Sequence, residues 1–389
     1  MPLAVDLLPA PDPSANSAVR DVTDLTDREI EALLAQCPAS FAQQTTGWRD
    51  VIRGIDRDEP MFLACRSGGK LIGLLPGYRF EGPQGAILTS VPQAGPLGGI
   101  VCHPAADRAA VYQALLEGYL SLARESGCDL ATLITNPFWP DRDLVARTLR
   151  PDYVLENSLL ALDLSLDCNE DGTPPGASAS LRRNLRRARA TGLVVDEEQT
   201  RENVLEWVAI HQARHRAIGA TPLPRALFLG ALEHMVSAGH ARFFFVRLAQ
   251  SGDMAAGGLY LCHGDVVDAF MPSLASEHAD LRPGHLLAAH TIDWARRRGA
   301  RFYNWQGSPP AGGVERFKRQ WGSHDYGYAF ATRITGDATR YLQSSVASLV
   351  EGYPWHYVLP FDRVGGAIPS DAAAASTRAE AWGAREASG

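Results

Sequence analysis

Lysine is nearly absent: of the 37 basic residues in the 389-residue chain, only Lys70 and Lys318 are lysines, and arginine supplies the rest. Where arginine does the generic work of a solvated cation, a retained lysine stands out. Its ammonium is a compact point charge, suited to one developing negative charge rather than to a planar bidentate fork. The alternative is that codon bias left two lysines by chance. Long apolar runs are missing too. No stretch is long enough to cross a bilayer, and the start "MPLAVDLLPAPDPSANSAVR" lacks the basic flank and apolar centre of a signal peptide, so a cytoplasmic location is expected. The six cysteines lie far apart, with no Cys-x-x-Cys pair and no histidine at zinc spacing, which predicts reduced thiols and no metal site. The net charge of −7 excludes a wholly basic nucleic-acid binder but leaves local patches open.

What is present is the composition of a soluble globular protein, 46% hydrophobic and 21% charged, on a chain long enough for two domains of roughly 150 to 200 residues. Both ends read as loose: residues 1–20 are rich in Pro, Ala and Ser, and 363–389 has no apolar periodicity and reads as a disordered tail. The segment "NEDGTPPGASAS" cannot continue a helix or a central strand, so 168–180 reads as a linker between units at 21–167 and 181–362.

The two units repeat one plan. "MFLACR", the turn "SGGK" and "LIGLLPGYRF" predict a hairpin, and "RFFFVRL", "QSGD" and "MAAGGLYLC" predict it again. Each hairpin is followed by an amphipathic helix that stops at a glycine and leads into a strand. Tyr112, Leu115, Leu116, Tyr119 and Ala123 share one face before Gly127, and "LLAAHTIDWARRR" ends at Gly299. The turns at Gly68 and Gly252 lie 184 residues apart and the helix ends 172 apart, which points to a duplicated α/β unit.

In the second unit, "LRPGHLLAAHTIDWARRRGARFYNWQGS" followed by "GGVERFKRQWG" resembles the FemAB-like branch of the Gcn5-related N-acyltransferase (GNAT) superfamily. "FAQQTTGWRDVI", "VPQAGPLGG" and "SLRRNLRRARATG" are similar to its tryptophan entry segment, its glycine turn and its basic helix, so the resemblance covers about residues 25–335. It implies two tandem GNAT-like domains, each a mixed, mostly antiparallel sheet flanked by helices. The first would hold the acceptor, and the second the acyl donor and the catalytic centre. The implied reaction moves an aminoacyl group from charged tRNA to an amine of a cell-wall precursor or natural-product intermediate, with no bound cofactor. At two positions the sequence departs from that pattern: the acid of the Tyr-Asp-Phe strand is Asn304, and the position beyond Gly95-Pro96 where some members carry an acid is Gly99.

Amide formation passes through a tetrahedral oxyanion, and a cation on that oxygen is usually the largest catalytic contribution. Lys318 fits this role, with Phe317 beside it to exclude water and Asn304 and Trp305 as further candidates. On the helix read at 181–189, Leu181, Leu185 and Ala188 form an apolar stripe. Arg182, Arg183, Arg186, Arg187 and Arg189 cover the rest without a single acid, which suits phosphate recognition or, alternatively, a solvated face. Arg282, Arg316 and Arg319 add to a basic stretch that would suit a polyanionic donor. Trp48, Arg49 and Arg53 fall where the family holds the acceptor, and His324 and Asp325 are candidates for a proton relay or for a plain turn. "HQARH" sets His211 and His215 one turn apart without the glutamate of a zinc protease, and reads as polar helix face. An acyl-CoA donor is the first alternative, although "RPGHLL" has one glycine and a proline where a pyrophosphate cradle needs backbone N–H groups. A non-catalytic binding protein of the same fold is the second.

Overall fold

The glycine-stopped helices form as predicted in the structure, a computed structural model that describes residues 18–20, 25–55, 58–90, 97–307 and 312–360. Most of 1–20, the Gly95–Pro96 turn and the tail 363–389 lie outside the described residues. The first half carries β1 (Ala18–Arg20), α1 (Asp27–Leu34), α2 (Thr46–Arg53), β2 (Asp58–Pro60), β3 (Leu63–Ser67), β4 (Lys70–Leu75), β5 (Tyr78–Gly82), β6 (Gly85–Thr89), β7 (Val101–Cys102), α3 (Arg108–Glu125), β8 (Cys128–Ile134), α4 (Arg142–Leu149) and β9 (Tyr153–Asp163). The second half carries α5 (Ala179–Arg189), β10 (Leu193–Asp196), α6 (Arg201–Ala217), α7 (Arg225–Gly230), β11 (Ala241–Leu248), β12 (Met254–His263), β13 (Val266–Leu274), α8 (Pro283–Arg297), β14 (Phe302–Asn304), α9 (Gly313–Arg319), β15 (His324–Ile334), α10 (Thr339–Gln343) and α11 (Val346–Gly352).

Local rules account for the helices that matter most. Asp107 caps α3 by accepting from Ala109 N and Ala110 N, its predicted face is buried, and Gly127 closes it at φ +68°. Helix α8 starts on Pro283, whose missing N–H costs nothing in a first turn, and Gly299 follows its end at φ +78°. Ser178 caps α5, and Leu181, Leu185 and Ala188 form its buried stripe.

The first hairpin departs from expectation. Its second strand breaks at Pro76-Gly77, so that β4 lies in a four-stranded sheet (β1-β3-β4-β7) while β5 enters a sheet of eleven strands. Proline has no ladder donor, and a Cβ on Gly77 would lie 2.6 Å from the Met61 carbonyl, so the crossing is built for glycine. Gly77→Ala is expected to destabilise the fold by about 1–3 kcal/mol, read as a lower urea midpoint at unchanged m. An unchanged midpoint would show that the backbone can yield there.

The eleven strands run β10-β11-β12-β13-β14-β9-β15-β8-β6-β5-β2 and cross both halves without interruption. Each half contributes one parallel pair, β6 with β8 and β13 with β14, and the other pairs are antiparallel, as a duplicated mixed sheet requires. The seam is made by β9 and β15: β9, from the first half, pairs with β14 of the second, and β15, from the second, pairs with β8 of the first. A shared core packs α1 and α2 residues Leu34, Trp48 and Val51 among Trp207, Phe243 and Phe270 of the second half. Residues Ala18–Arg20, within the segment read as loose, form an edge strand on β3.

Candidate active site

The parallel pair of the second half parts early. Val266–Asp268 pairs with Phe302–Asn304, after which β13 runs on to Leu274 while the other chain stays with β9 through Trp305 and Gln306. Where they separate, Asp268 faces Asn304 across the register, 2% exposed on a central strand. Three amides hold its carboxyl group. Gln43 Nε2 donates to Oδ2 at 2.9 Å, Asn304 Nδ2 to Oδ1 at 3.1 Å, and Gln306 Nε2 to both oxygens at 2.6 and 2.7 Å. The Gln306 N–H donates to Asn304 Oδ1, which fixes the way the Asn304 amide points. Burial pushes the Asp268 carboxyl up to about 7, against the lowering influence of these amides and of the nearby Lys318 charge.

Lys318 is linked to Asp268 through Gln306, which bonds to both. It is buried on α9, and its ammonium donates to the carbonyls of Gly307 (2.6 Å) and Gln306 (3.3 Å). Gln306 itself sits at φ +66°, a conformation that a residue with a Cβ adopts only when its surroundings impose it. Phe317 closes the apolar side, with its ring centroid 5.9 Å from Trp305 and 5.0 Å from His285, and Trp321 completes the cluster. The structure therefore gathers Lys318, Phe317, Asn304 and Trp305 in one place, and adds Gln43, Asp268 and Gln306.

Other predicted residues are placed differently. Trp48 is fully buried, edge-on to Phe270, two residues beyond Asp268 on the same face of β13. Arg49 is committed to Asp27 and Asp50, and Arg53 to Asp50. Arg319 pairs with Glu315 and with Asp325, while His324 is exposed at the start of β15. His211 and His215 are not polar face: both are buried, with His211 Nδ1 near Ser273 Oγ and His215 Nδ1 bonded to the His211 carbonyl. On α5, Arg182 reaches the Ala177 carbonyl and Asp171, whereas Arg183, Arg186, Arg187 and Arg189 are exposed with no ion pair among the described residues, as is Arg316. Asn184 of α5 meets His285 of α8, and His285 meets Phe317, so the basic helix, Arg282 at the head of α8, and α9 share one corner.

Sequence reasoning missed Asp268, Gln43 and Gln306. The available signal was the aspartate inside "VVDAF", a charge in the middle of an apolar strand, which a buried strand carries only with partners.

Two parallel-paired, mostly antiparallel units flanked by helices define the tandem GNAT fold. Residues 176–319, within the second half, match the family model of the Acetyltransferase (GNAT) domain. The chain is similar to the crystal structure of FemX (14% identity, covering 80% of this chain and 96% of that one, TM-score 0.65). It is also similar to a tandem GNAT protein from the clavulanic acid biosynthesis pathway (16%, 83% and 99%, TM-score 0.52), and to the C-terminal domain of a putative lysylphosphatidylglycerol synthetase from Agrobacterium fabrum (13%, 83% and 95%, TM-score 0.55). The resemblance to the FemAB-like branch is thus borne out at the level of fold. No curated protein matches the sequence. No helix of the described residues is long and apolar enough to cross a membrane.

Proposed function

We propose that the protein forms an amide by transferring an acyl group, in first place an aminoacyl group from charged tRNA, to the amine of a small acceptor such as a cell-wall precursor or natural-product intermediate. The observation that carries this is a buried carboxyl held near neutrality beside a buried ammonium, at the parting of two parallel strands in a GNAT fold. The amine nitrogen attacks the ester carbonyl carbon, the C–N bond forms, and the C–O bond to the ribose breaks. Lys318 balances the charge on the carbonyl oxygen. Asp268 takes the proton of the amine, which displaces the Gln306 amide from the carboxyl group, and the proton passes to the departing ribose oxygen.

The corner of exposed arginines on α5, with Arg282 and Arg316, supports a polyanionic donor held by phosphate contacts. Pro283 at the first position of α8, with no N–H to give, is unfavourable to a pyrophosphate cradle there. The test is retention of the purified chain on a pool of charged tRNA, with acetyl-CoA as competitor, followed by transfer of a labelled aminoacyl group to candidate amines. The expected result is retention that weakens steeply as salt rises, is unaffected by acetyl-CoA, and falls in an Arg183→Ala/Arg186→Ala variant. Displacement by acetyl-CoA would replace the tRNA donor with an acyl-CoA, and no transfer from either donor would leave a binding protein.

A further inference from the structure

Glu31 on α1, His240 just before β11 and His263 at the end of β12 bring one ligand atom each to within 4.8 Å of one another. Nothing in their spacing along the chain announces this, because the three come from both halves and are joined only by the fold. Each is already oriented by the protein. Glu31 Oε1 accepts from Thr46 N (2.9 Å) and Thr46 Oγ1 (2.6 Å), which leaves Oε2 directed at His240 Nε2, 3.9 Å away. Ser40 Oγ has one proton and donates it to the Cys37 carbonyl at 2.6 Å, so at 3.0 Å it accepts from His263 Nδ1–H. That bond fixes the His263 tautomer and leaves the Nε2 lone pair free. The two rings lie 5.0 Å apart, and the Cys262 N–H donates to the His240 carbonyl, holding the strand ends together.

Burial lowers both imidazoles below the ordinary histidine value, with His263 brought down to about 4. The charged groups facing the cluster are Arg298, whose guanidinium is turned to the Gly239 carbonyl and lies over the Trp294 ring, and Asp50, which lines the neighbouring depression. His240 lines both adjoining surface depressions, so a fourth ligand position opens to water.

We propose that Glu31, His240 and His263 form a site for a borderline divalent transition metal, zinc in the first place, with water completing the shell. Two imidazoles, a carboxylate and an open position form a donor set suited to zinc. Around the ion, ligand atoms sit roughly 3.3 Å from one another, so side-chain movement of about 1 Å closes the site. The metal joins α1 to the second half at the start of β11 and the end of β12, where the β12–β13 turn already touches the 38–40 turn through Asp265 N donating to the Pro38 carbonyl at 2.9 Å.

The experiment uses the full chain, stripped with a chelator and dialysed against zinc and, separately, against cobalt(II). About one zinc per chain is expected to survive gel filtration, with cobalt giving the visible bands of a low-symmetry nitrogen-ligated ion. A His240→Ala/His263→Ala variant should retain only background metal while keeping the unfolding midpoint of the stripped wild type. Ser40→Ala, which keeps all three ligands and frees only the tautomer, should bind about tenfold more weakly. Wild-type protein that retains no more zinc than the double variant overturns the proposal. So does wild-type cobalt protein with the spectrum of the aquated ion, a result that does not depend on any variant folding.

Discussion

Asp268→Asn is expected to lower kcat for acyl transfer by about two orders of magnitude or more, because it removes the group that accepts the proton of the amine while leaving the shape of the site in place. The fold should survive the change. Gln43 Oε1 is buried with no donor among the described residues, so turning the Gln43 amide over presents that oxygen to the new Asn Nδ2. The pH dependence separates catalysis from packing. The wild-type kcat/KM should rise through about pH 7 as the carboxyl ionises, and the variant should lose that limb. Stability runs the other way. The folded pKa lies above the unfolded value of 3.8, so the stabilisation from this group is complete below about pH 4 and is lost as pH climbs through about 7. Urea midpoints of the wild type should therefore fall between about pH 4 and about pH 7 by an amount that the variant lacks. A variant with wild-type turnover and an unchanged rising limb would remove Asp268 from the reaction.

The second large effect belongs to Lys318. Lys318→Met keeps the stem and removes the ammonium, and kcat should fall about 10²–10³-fold with KM little changed. Stability should fall as well, since the Gln306 and Gly307 carbonyls lose a buried donor, at about 1–3 kcal/mol for each group left unsatisfied. Lys318→Arg is the sharper probe. It restores charge but brings a broad planar fork into a space shaped around one nitrogen, so activity should stay low. If Lys318→Met is destabilised yet turns over normally, the lysine is a clamp for the 306–307 backbone and nothing more. If arginine restores full rate, any cation suffices and the scarcity of lysine in the sequence carries no meaning.

The elements that depend on periodicity and punctuation were legible in the sequence. Helices α3 and α8 bury the faces that their apolar spacing marks and stop at Gly127 and Gly299, and the hairpin at Gly252 forms as its turn residues require. Lys318 and Asn304 were visible through motif resemblance. Asp268 was not, because one acid in a strand creates no period, and its meaning comes from Asn304 beside it and Gln43 far away in the chain. The same limit hid Glu31, His240 and His263. Distance in sequence also concealed the seam, because nothing in the local pattern of β9 or β15 tells which strand will lie alongside.

That seam has a kinetic consequence. As the chain leaves the ribosome, β8 and β9 are made early, yet the strand that lies between them, β15, emerges roughly 160 to 200 residues later. Until then the first half carries two open edges and cannot close its sheet. Refolding should accordingly be slow and governed by this long-range pairing, and the nascent first half is the species most exposed to edge-to-edge association and most in need of chaperone cover.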